Sequence, residues 1–229
     1  MSAPQIWGHR GASAVQRENT LDAFRAAAEL GADGVELDVR RTADGALAVH
    51  HDATLPDGRV IVEIPAVALP SDLPMLRDAL VACGSMTVNV EIKNVPIDPD
   101  YDSEETVASA VVALVAEMGI GEQIVVSSFS LNTINVVRAA DPRLATGWLT
   151  VPSYDQLREL ETAAEHGHGA LNPHHTVVTA ELAKAARAAG LALNAWTVDD
   201  PDEMHRLADL GVNAIITNDV AVAVRTLRV

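Results

Sequence analysis

The feature that most constrains the fold is a repeated unit in which a helix ends at a glycine and a strand follows within a few residues. Helices that end near Gly31, Gly119, Gly190 and Gly211 each lead into an apolar extended run, and glycine is common just past a helix C-terminus. The predicted strands lie at residues 5–9, 34–39, 87–93, 123–127, 145–149, 169–172, 191–198 and 213–217. Strands that alternate with helices pair in parallel through right-handed crossovers, so an α/β fold is predicted.

Two architectures satisfy this alternation, a closed (β/α)₈ TIM barrel and an open doubly wound sheet. An open sheet usually carries a glycine fingerprint after its first strand, and the run from Gly8 to Ser13 is not one. In a barrel, functional residues follow many different strands. Polar side chains do so here, at His9, Arg10, Glu36, Asp38, Glu91, Lys93, Ser127, Ser128, Asn172 and Asn194. We therefore predict a TIM barrel in one domain, residues 1–229, with a short proline-rich excursion after the second strand at about residues 53–73.

Composition excludes several classes of partner and compartment. The chain has 229 residues, a formal charge of −16 and 48% apolar residues, with no run long enough to span a membrane. The negative charge opposes binding to nucleic acid or stable association with anionic membranes. Cys83 is a single cysteine and no secretory leader is visible, so a cytoplasmic location is expected by default. The oligomeric state is left open.

Two strands direct carboxylates toward one face. In residues 34–39 the apolar side chains alternate with Glu36 and Asp38, and in residues 87–93 Glu91 and Lys93 share the polar face. An acid set with no cysteine suits a hard divalent cation such as Mg²⁺ or Ca²⁺. The alternative is that Glu36 and Asp38 simply end a strand and neutralise Arg40 and Arg41.

A hairpin is predicted to bring a histidine to these acids. Asp44-Gly45 between two extended runs is a strong hairpin signal. If these two residues form the loop, Ala43 pairs with Ala46 and His51 lies directly opposite Asp38. Residues that face each other across a hairpin point to the same side, so we expect His51 at the acidic site and His50 directed away.

The resulting set has the parts of a phosphoryl-transfer site. A bound cation polarises a phosphoryl oxygen while Arg10 and Lys93 hold the remaining charge. His9 and His51 are then candidates for proton transfer on opposite sides of phosphorus. Each histidine has the alternative role of a structural hydrogen-bond donor, and Trp196 is either core filling or a wall for substrate.

Several motifs together resemble one known family, the glycerophosphodiester phosphodiesterases. They are His9-Arg10-Gly11, Glu18-Asn19-Thr20, Glu36-Leu37-Asp38-Val39, Thr42 with Asp44-Gly45, His51-Asp52, Glu91-Ile92-Lys93 and Ala195-Trp196-Thr197-Val198. The resemblance implies a (β/α)₈ barrel, His9 and His51 as the acid and base, and Glu36, Asp38 and Glu91 as metal ligands. It also implies substrate contacts from Arg10, Lys93 and Trp196.

The expected reaction is metal-dependent hydrolysis of a glycerophosphodiester to sn-glycerol 3-phosphate and an alcohol. Arg17 stands where the family usually has proline, and the excursion is shorter than the family's usual insertion. The excursion contains no aromatic residue and one basic residue, Arg59, so small soluble diesters are expected as substrates rather than lysophospholipids in bilayers. A metal-dependent lyase or aldolase barrel and a non-catalytic phosphate-binding protein are the alternatives.

Overall fold

The chain forms a closed barrel of eight parallel strands. The structure is a computed structural model that describes residues 3–228. The strands are β1 Gln5–His9, β2 Gly34–Arg41, β3 Leu47–Val49, β4 Thr87–Ile92, β5 Ile124–Ser128, β6 Ala145–Thr150, β7 Ala170–Pro173, β8 Ala192–Ala195 and β9 Ala214–Thr217. Their order is β1-β9-β8-β7-β6-β5-β4-β2-β3, and β1 also pairs with β2, which closes the barrel. The predicted TIM barrel is confirmed, and β3 is an antiparallel addition to the edge of β2.

Helices surround the barrel and shield the outer faces of the strands. They are α1 Leu21–Glu29, α2 Leu76–Cys83, α3 Thr106–Met118, α4 Leu131–Ala140, α5 Gln156–Glu165, α6 Ala180–Ala189, α7 Pro201–Leu210 and α8 Val220–Leu227. Gly119, Gly190 and Gly211 end their helices in the left-handed conformation, as the sequence predicted. Within residues 3–228, no helix is long and apolar enough to cross a membrane.

The alternation in β2 decides which side chains enter the barrel. Val35, Leu37 and Val39 are fully buried in the hydrophobic core under the helices. Glu36 and Asp38 face the opposite way, toward the barrel interior, where they are 3% and 1% exposed. The same packing that buries the apolar face of β2 therefore fixes two carboxylates inside the protein.

Residues 42–46 form the connection between β2 and β3, and its geometry corrects the predicted hairpin register. Val39 pairs with Val49 and Arg41 with Leu47, and the Thr42 amide donates to the Ala46 carbonyl. Three residues, 43–45, rather than two therefore form the loop. The backbone amide of His50 donates to Asp38, which means that His50, not His51, lies opposite Asp38. The prediction that placed His51 directly across from Asp38 was wrong by one residue.

Asparagine is a good N-cap, so the sequence favours Asn19 as the cap of α1, but the structure places the cap one residue later. Thr20 is the N-cap, and its hydroxyl accepts a hydrogen bond from the Ala23 amide. Asn19 precedes it with a φ of 56°, and its side chain is buried against Asp38 instead.

The excursion after β3 packs as a small layer of its own. It contains two 3₁₀ turns, Ile61–Glu63 and Ala66–Ala68. Leu55, Ile61 and Ile64 form a separate buried cluster with Ala48 of β3. Val67 is 92% exposed, so part of the segment's apolar surface does remain in solvent.

Candidate active site

Three carboxylates converge inside the carboxyl-terminal end of the barrel. Glu36 and Asp38 come from β2 and Glu91 from β4, and Asp38 is the direct neighbour of Glu91 in the sheet. All three are buried, and one oxygen of each lies within 4.8 Å of the others. Parallel strands place equivalent positions side by side, so the two acidic patterns seen in the sequence meet in one place.

Two cations neutralise this cluster only in part. Asp38 lies 3.2 Å from Nε of Arg10 and 3.0 Å from Nζ of Lys93, and Lys93 also contacts Glu91. Glu36 has no such partner within residues 3–228: its Oε2 accepts from the backbone amide of Arg10 at 3.0 Å, and its buried Oε1 has no hydrogen-bond partner there. Three acids therefore face two cations, and the deficit lies at Glu36.

The pKa values of the acids follow this charge distribution. Burial raises the pKa of Glu36 well above its ordinary value, and repulsion by Asp38 and Glu91 adds to the effect. Burial acts on Asp38 too, but Lys93 and Arg10 outweigh it and lower its pKa. Burial alone would lower the pKa of Lys93, but Glu91 and Asp38 outweigh it and raise the pKa. A divalent cation beside Glu36 would supply the missing positive charge, so the donor set fits an oxygen-ligated metal.

Arg10 is held in an unusual backbone conformation. Its φ is 56°, in the left-handed region, which costs on the order of 1 kcal/mol or more for a residue with a side chain. The turn directs its amide to Glu36 and its guanidinium to Asp38 and Glu18. Gly11 continues the turn with φ 85°, where a Cβ would come within 2.7 Å of Ala23. The strained turn places one arginine against two acids of the cluster.

His9 is oriented by a residue from the far end of the chain. Its Nδ1 lies 2.8 Å from Oδ1 of Asn218, and the Asn218 amide nitrogen donates to Asp199. That second bond turns the Asn218 oxygen toward His9, so Nδ1 of His9 is the donor. Nε2 is left as the basic nitrogen, on the side of Glu36. Burial is the main cause that lowers the pKa of His9.

His51 has a matching arrangement with a carboxylate. Its Nδ1 lies 2.7 Å from Oδ1 of Asp52, which leaves Nε2 free to exchange a proton. Burial and the nearby Lys93 lower the pKa of His51. His50 bonds instead to the backbone carbonyl of Asp52 and lines a separate outer groove. His51 thus reaches the site, although by a different register from the one predicted.

A cavity of about 140 Å³ brings these groups together. Its lining consists of His9, Arg10, Glu36, His51, Asn89, Glu91, Lys93, Phe129, Leu149, Trp196 and Ile216. Trp196 contacts Phe129 edge to face with ring centroids 5.6 Å apart, and the two aromatic rings form an apolar wall. Every proposed site residue except Asp38 lines this cavity, and Asp38 lies behind it with its ion pairs.

Sequence reasoning missed four residues at this site. Asn19 donates to Asp38 at 2.7 Å, Asn218 orients His9, and Phe129 lines the wall. Asn89 is fully buried beside Glu36 in the sheet, and neither polar atom of its side chain has a hydrogen-bond partner among the residues that the structure describes. Two of them had a visible signal: Asn89 shares the polar face of β4 with Glu91, and Asn19 lies in the motif Glu18-Asn19-Thr20.

A larger hollow at the opposite end of the barrel offers no comparable chemistry. It measures about 780 Å³, and Arg187 is the ionisable residue among those that line it. The catalytic groups of TIM barrels lie at the carboxyl-terminal end, where the small cavity lies.

Comparison with known proteins agrees with this geometry. A model of the glycerophosphoryl diester phosphodiesterase family matches residues 9–222. A glycerophosphodiester phosphodiesterase from Caldanaerobacter subterraneus is 29% identical over 97% of each chain. The crystal structure of a candidate glycerophosphoryl diester phosphodiesterase from Silicibacter pomeroyi has a TM-score of 0.89 and 26% identity, covering 99% of this chain and 94% of the other. A phosphodiesterase from Oleispira antarctica, solved with the product sn-glycerol 3-phosphate, has a TM-score of 0.85 and 24% identity, covering 98% of this chain and 96% of the other.

Proposed function

The chain belongs to the glycerophosphoryl diester phosphodiesterase family, and we propose that it hydrolyses small soluble glycerophosphodiesters with a divalent cation held by Glu36, Asp38 and Glu91. The products are sn-glycerol 3-phosphate and an alcohol. One observation carries the proposal: three buried acids with a charge deficit at Glu36 adjoin a cavity lined by two histidines whose Nδ1 atoms are already engaged.

The acid cluster suits a hard cation such as Mg²⁺ or Ca²⁺. All candidate donors are carboxylate oxygens, and Oε1 of Glu36 has no other partner. When bound, such a cation draws electron density from a phosphoryl oxygen and offsets the negative charge that develops during displacement.

Arg10 and Lys93 then bind the remaining phosphate charge. Both line the cavity, and both are already held by Asp38, so their charged ends are fixed before substrate arrives. Fixed cations stabilise developing charge without reorganisation at the moment of reaction. Trp196 and Phe129 supply an apolar surface for the carbon skeleton of the substrate.

His9 and His51 transfer the protons. With Nδ1 engaged on each ring, each Nε2 is the nitrogen available to the substrate. One histidine removes the proton from the attacking oxygen, which belongs either to water or to the neighbouring glycerol hydroxyl. In the second case a cyclic phosphate forms, and attack by water then opens it to sn-glycerol 3-phosphate. The other protonates the departing alkoxide, so charge does not accumulate on either oxygen.

The related phosphodiesterase from Oleispira antarctica was solved in complex with its product, sn-glycerol 3-phosphate. That complex supports the same product for the reaction proposed here. The substrate is proposed to be soluble because the excursion lacks aromatic anchors and the chain carries a charge of −16. A cytoplasmic location and a single domain over residues 1–229 belong to the same proposal.

Steady-state assays test the proposal directly. We expect release of sn-glycerol 3-phosphate from glycerophosphocholine or glycerophosphoethanolamine, loss of turnover on chelation, and recovery with Mg²⁺ or Ca²⁺. Full turnover in a metal-analysed, chelated sample contradicts the metal role. Phosphate binding without turnover identifies a binding protein, and higher kcat/KM on vesicle-bound lysophospholipid contradicts the substrate class.

A further inference from the structure

Arg40 is a buried arginine that joins two segments at the top of the barrel. Its side chain is 4% exposed. Nη1 donates to both carboxylate oxygens of Asp100, at 2.6 and 2.8 Å, and Nη2 donates to Asp98 at 2.9 Å. Its third nitrogen, Nε, donates to the backbone carbonyl of His51 at 2.7 Å. The guanidinium therefore connects the loop after β4 to the histidine segment.

The His51 segment needs such a support because the β-ladder stops before it. Pairing between β2 and β3 ends at Val39 and Val49. The amide of His50 then donates the last backbone hydrogen bond to β2, to the carbonyl of Asp38. His51 follows outside the ladder. Its carbonyl accepts from the side chain of Arg40, a residue of β2 itself, and its ring bonds to the carboxylate of Asp52. The backbone of His51 is thus tied to β2 by a side chain.

The other side of Arg40 is attached to a well-braced loop. Asn94 donates to the carbonyl of Asp102 and accepts from the Asp102 amide. Asp102 also accepts from the Thr106 amide at the start of α3. Asp98 and Asp100 lie between these two ends of the loop, so they give Arg40 a fixed base.

The contacts of Arg40 favour a structural role over direct phosphate binding. Each of its three nitrogens already donates a hydrogen bond, and the side chain is almost fully buried. Four of its five N–H groups are engaged in this way, although Arg40 lines an open hollow beside His51 and Lys93. Arg40 also does not line the cavity that holds His9 and His51.

We propose that Arg40 is a positioning residue for His51, in which the Nε–H bond to the His51 carbonyl sets the distance of the imidazole from the scissile phosphate. The inference rests on the proposed catalytic role of His51. A planar guanidinium serves the carbonyl and the two carboxylates from three separate nitrogens, whereas all the donors of an ammonium lie on one atom.

The variant Arg40→Lys tests this assignment, since it keeps the buried positive charge beside Asp100 but loses the Nε donor. Arg41→Lys is the matched control: Arg41 is the next residue of β2 and reaches Asp102 of the same loop, 3.8 Å away. We expect Arg40→Lys to lower kcat by roughly ten- to a hundredfold, the scale for a catalytic group displaced by about 1 Å. Because Arg10 and Lys93 are untouched, KM is expected to change by less than about twofold, and Arg41→Lys to leave both constants within about twofold.

The decisive measurement repeats Arg40→Lys in a His51→Ala background. If Arg40 acts only through His51, the second substitution costs less than about twofold there. An equal loss in both backgrounds, or an equal loss in Arg41→Lys, overturns the inference while leaving the proposed function intact. Full activity of His51→Ala overturns the catalytic role of His51 and the inference with it.

A second variant guards against a folding defect. Arg40→Met combined with Asp100→Leu removes the buried charges together, which avoids an unpaired buried carboxylate. Thermal unfolding shows whether it is folded. We expect a folded double variant to lose kcat as Arg40→Lys does, and wild-type kcat in that variant overturns the inference.

Discussion

Glu36 and Asp38 lie two residues apart in one strand, yet their neutral amide variants are expected to change stability in opposite directions. In the absence of metal, Glu36→Gln removes a charge that lacks a side-chain cation and whose pKa is raised by burial and by repulsion from Asp38 and Glu91. The variant should therefore unfold at the same temperature as the wild type or higher. Asp38→Asn removes the carboxylate that holds both Arg10 and Lys93.

The size of the Asp38→Asn effect follows from the partners that remain. Breaking a buried ion pair typically costs about 3–5 kcal/mol. In Asp38→Asn, Arg10 still has its ion pair with Glu18, and Lys93 still has its ion pair with Glu91. We therefore expect a loss of stability at the low end of this range, about 3 kcal/mol. For a chain of this size that lowers the unfolding temperature by roughly 6–12 °C.

With metal bound, the wild type is expected to be more stable than Glu36→Gln. At a cation concentration of about 100 times Kd, binding stabilises the native wild type by about 2.7 kcal/mol, which raises its unfolding temperature by roughly 5–11 °C. Glu36→Gln lacks one ligand and should lose most of that increase. Differential scanning calorimetry with a chelator and then with Mg²⁺ or Ca²⁺ measures both quantities.

The pH dependence gives an independent check. The ordinary pKa of a glutamate carboxyl is 4.5, and that of Glu36 is raised in the folded state. Above pH 4.5 the unfolded state loses this proton more readily than the native state, so the native state is progressively destabilised. The stability advantage of Glu36→Gln in chelator should therefore grow from about pH 4.5 toward neutrality. Strong destabilisation by Glu36→Gln in chelator, or an undiminished metal-induced rise in that variant, would refute the reasoning.

Three further predictions concern individual histidines and their partners. His9→Ala and His51→Ala should each lower kcat on the order of a hundredfold, whereas His50→Ala should cost far less because it lies outside the cavity; an essential His50 in steady-state assays would contradict this. Asn218→Ala should lower kcat by roughly tenfold with little change in KM, because it frees the ring of His9 to turn, and an unchanged kcat would count against that orienting role. Burial lowers the pKa of His168 to about 4, so wild-type stability should fall as pH drops from about 6.5 toward 4, and His168→Gln should flatten that fall in melts recorded across this range.

Local pattern in the sequence was sufficient to predict the barrel. Alternation over Val35, Leu37 and Val39 identified the buried face of β2, and glycines after the helices marked where the next strands begin. These signals depend on the backbone geometry of single elements, so they are readable without the rest of the chain. The same alternation also predicted that Glu36 and Asp38 share a face.

The hairpin register needed the folded structure because side chains decide it. Thr42 accepts from the Ala46 amide through its hydroxyl and also bonds to Asp44, and Gly45 takes a φ of 80°. Together these contacts stabilise a three-residue loop, while Asp44 also accepts from Ala66 of the excursion. The dipeptide Asp44-Gly45 alone is compatible with either loop length.

The partners of the two histidines that we propose as acid and base likewise come from closure of the barrel. Asn218 meets His9 across 209 residues of sequence because β9 pairs with β1, and Arg40 meets Asp100 across 60 residues because the loop after β4 folds over β2. The sequence alone determined which residue types follow each strand, since that depends on local alternation and helix ends. Only the tertiary structure decided which of them touch, because those contacts depend on the cyclic order of the strands and on the path of the loops above them.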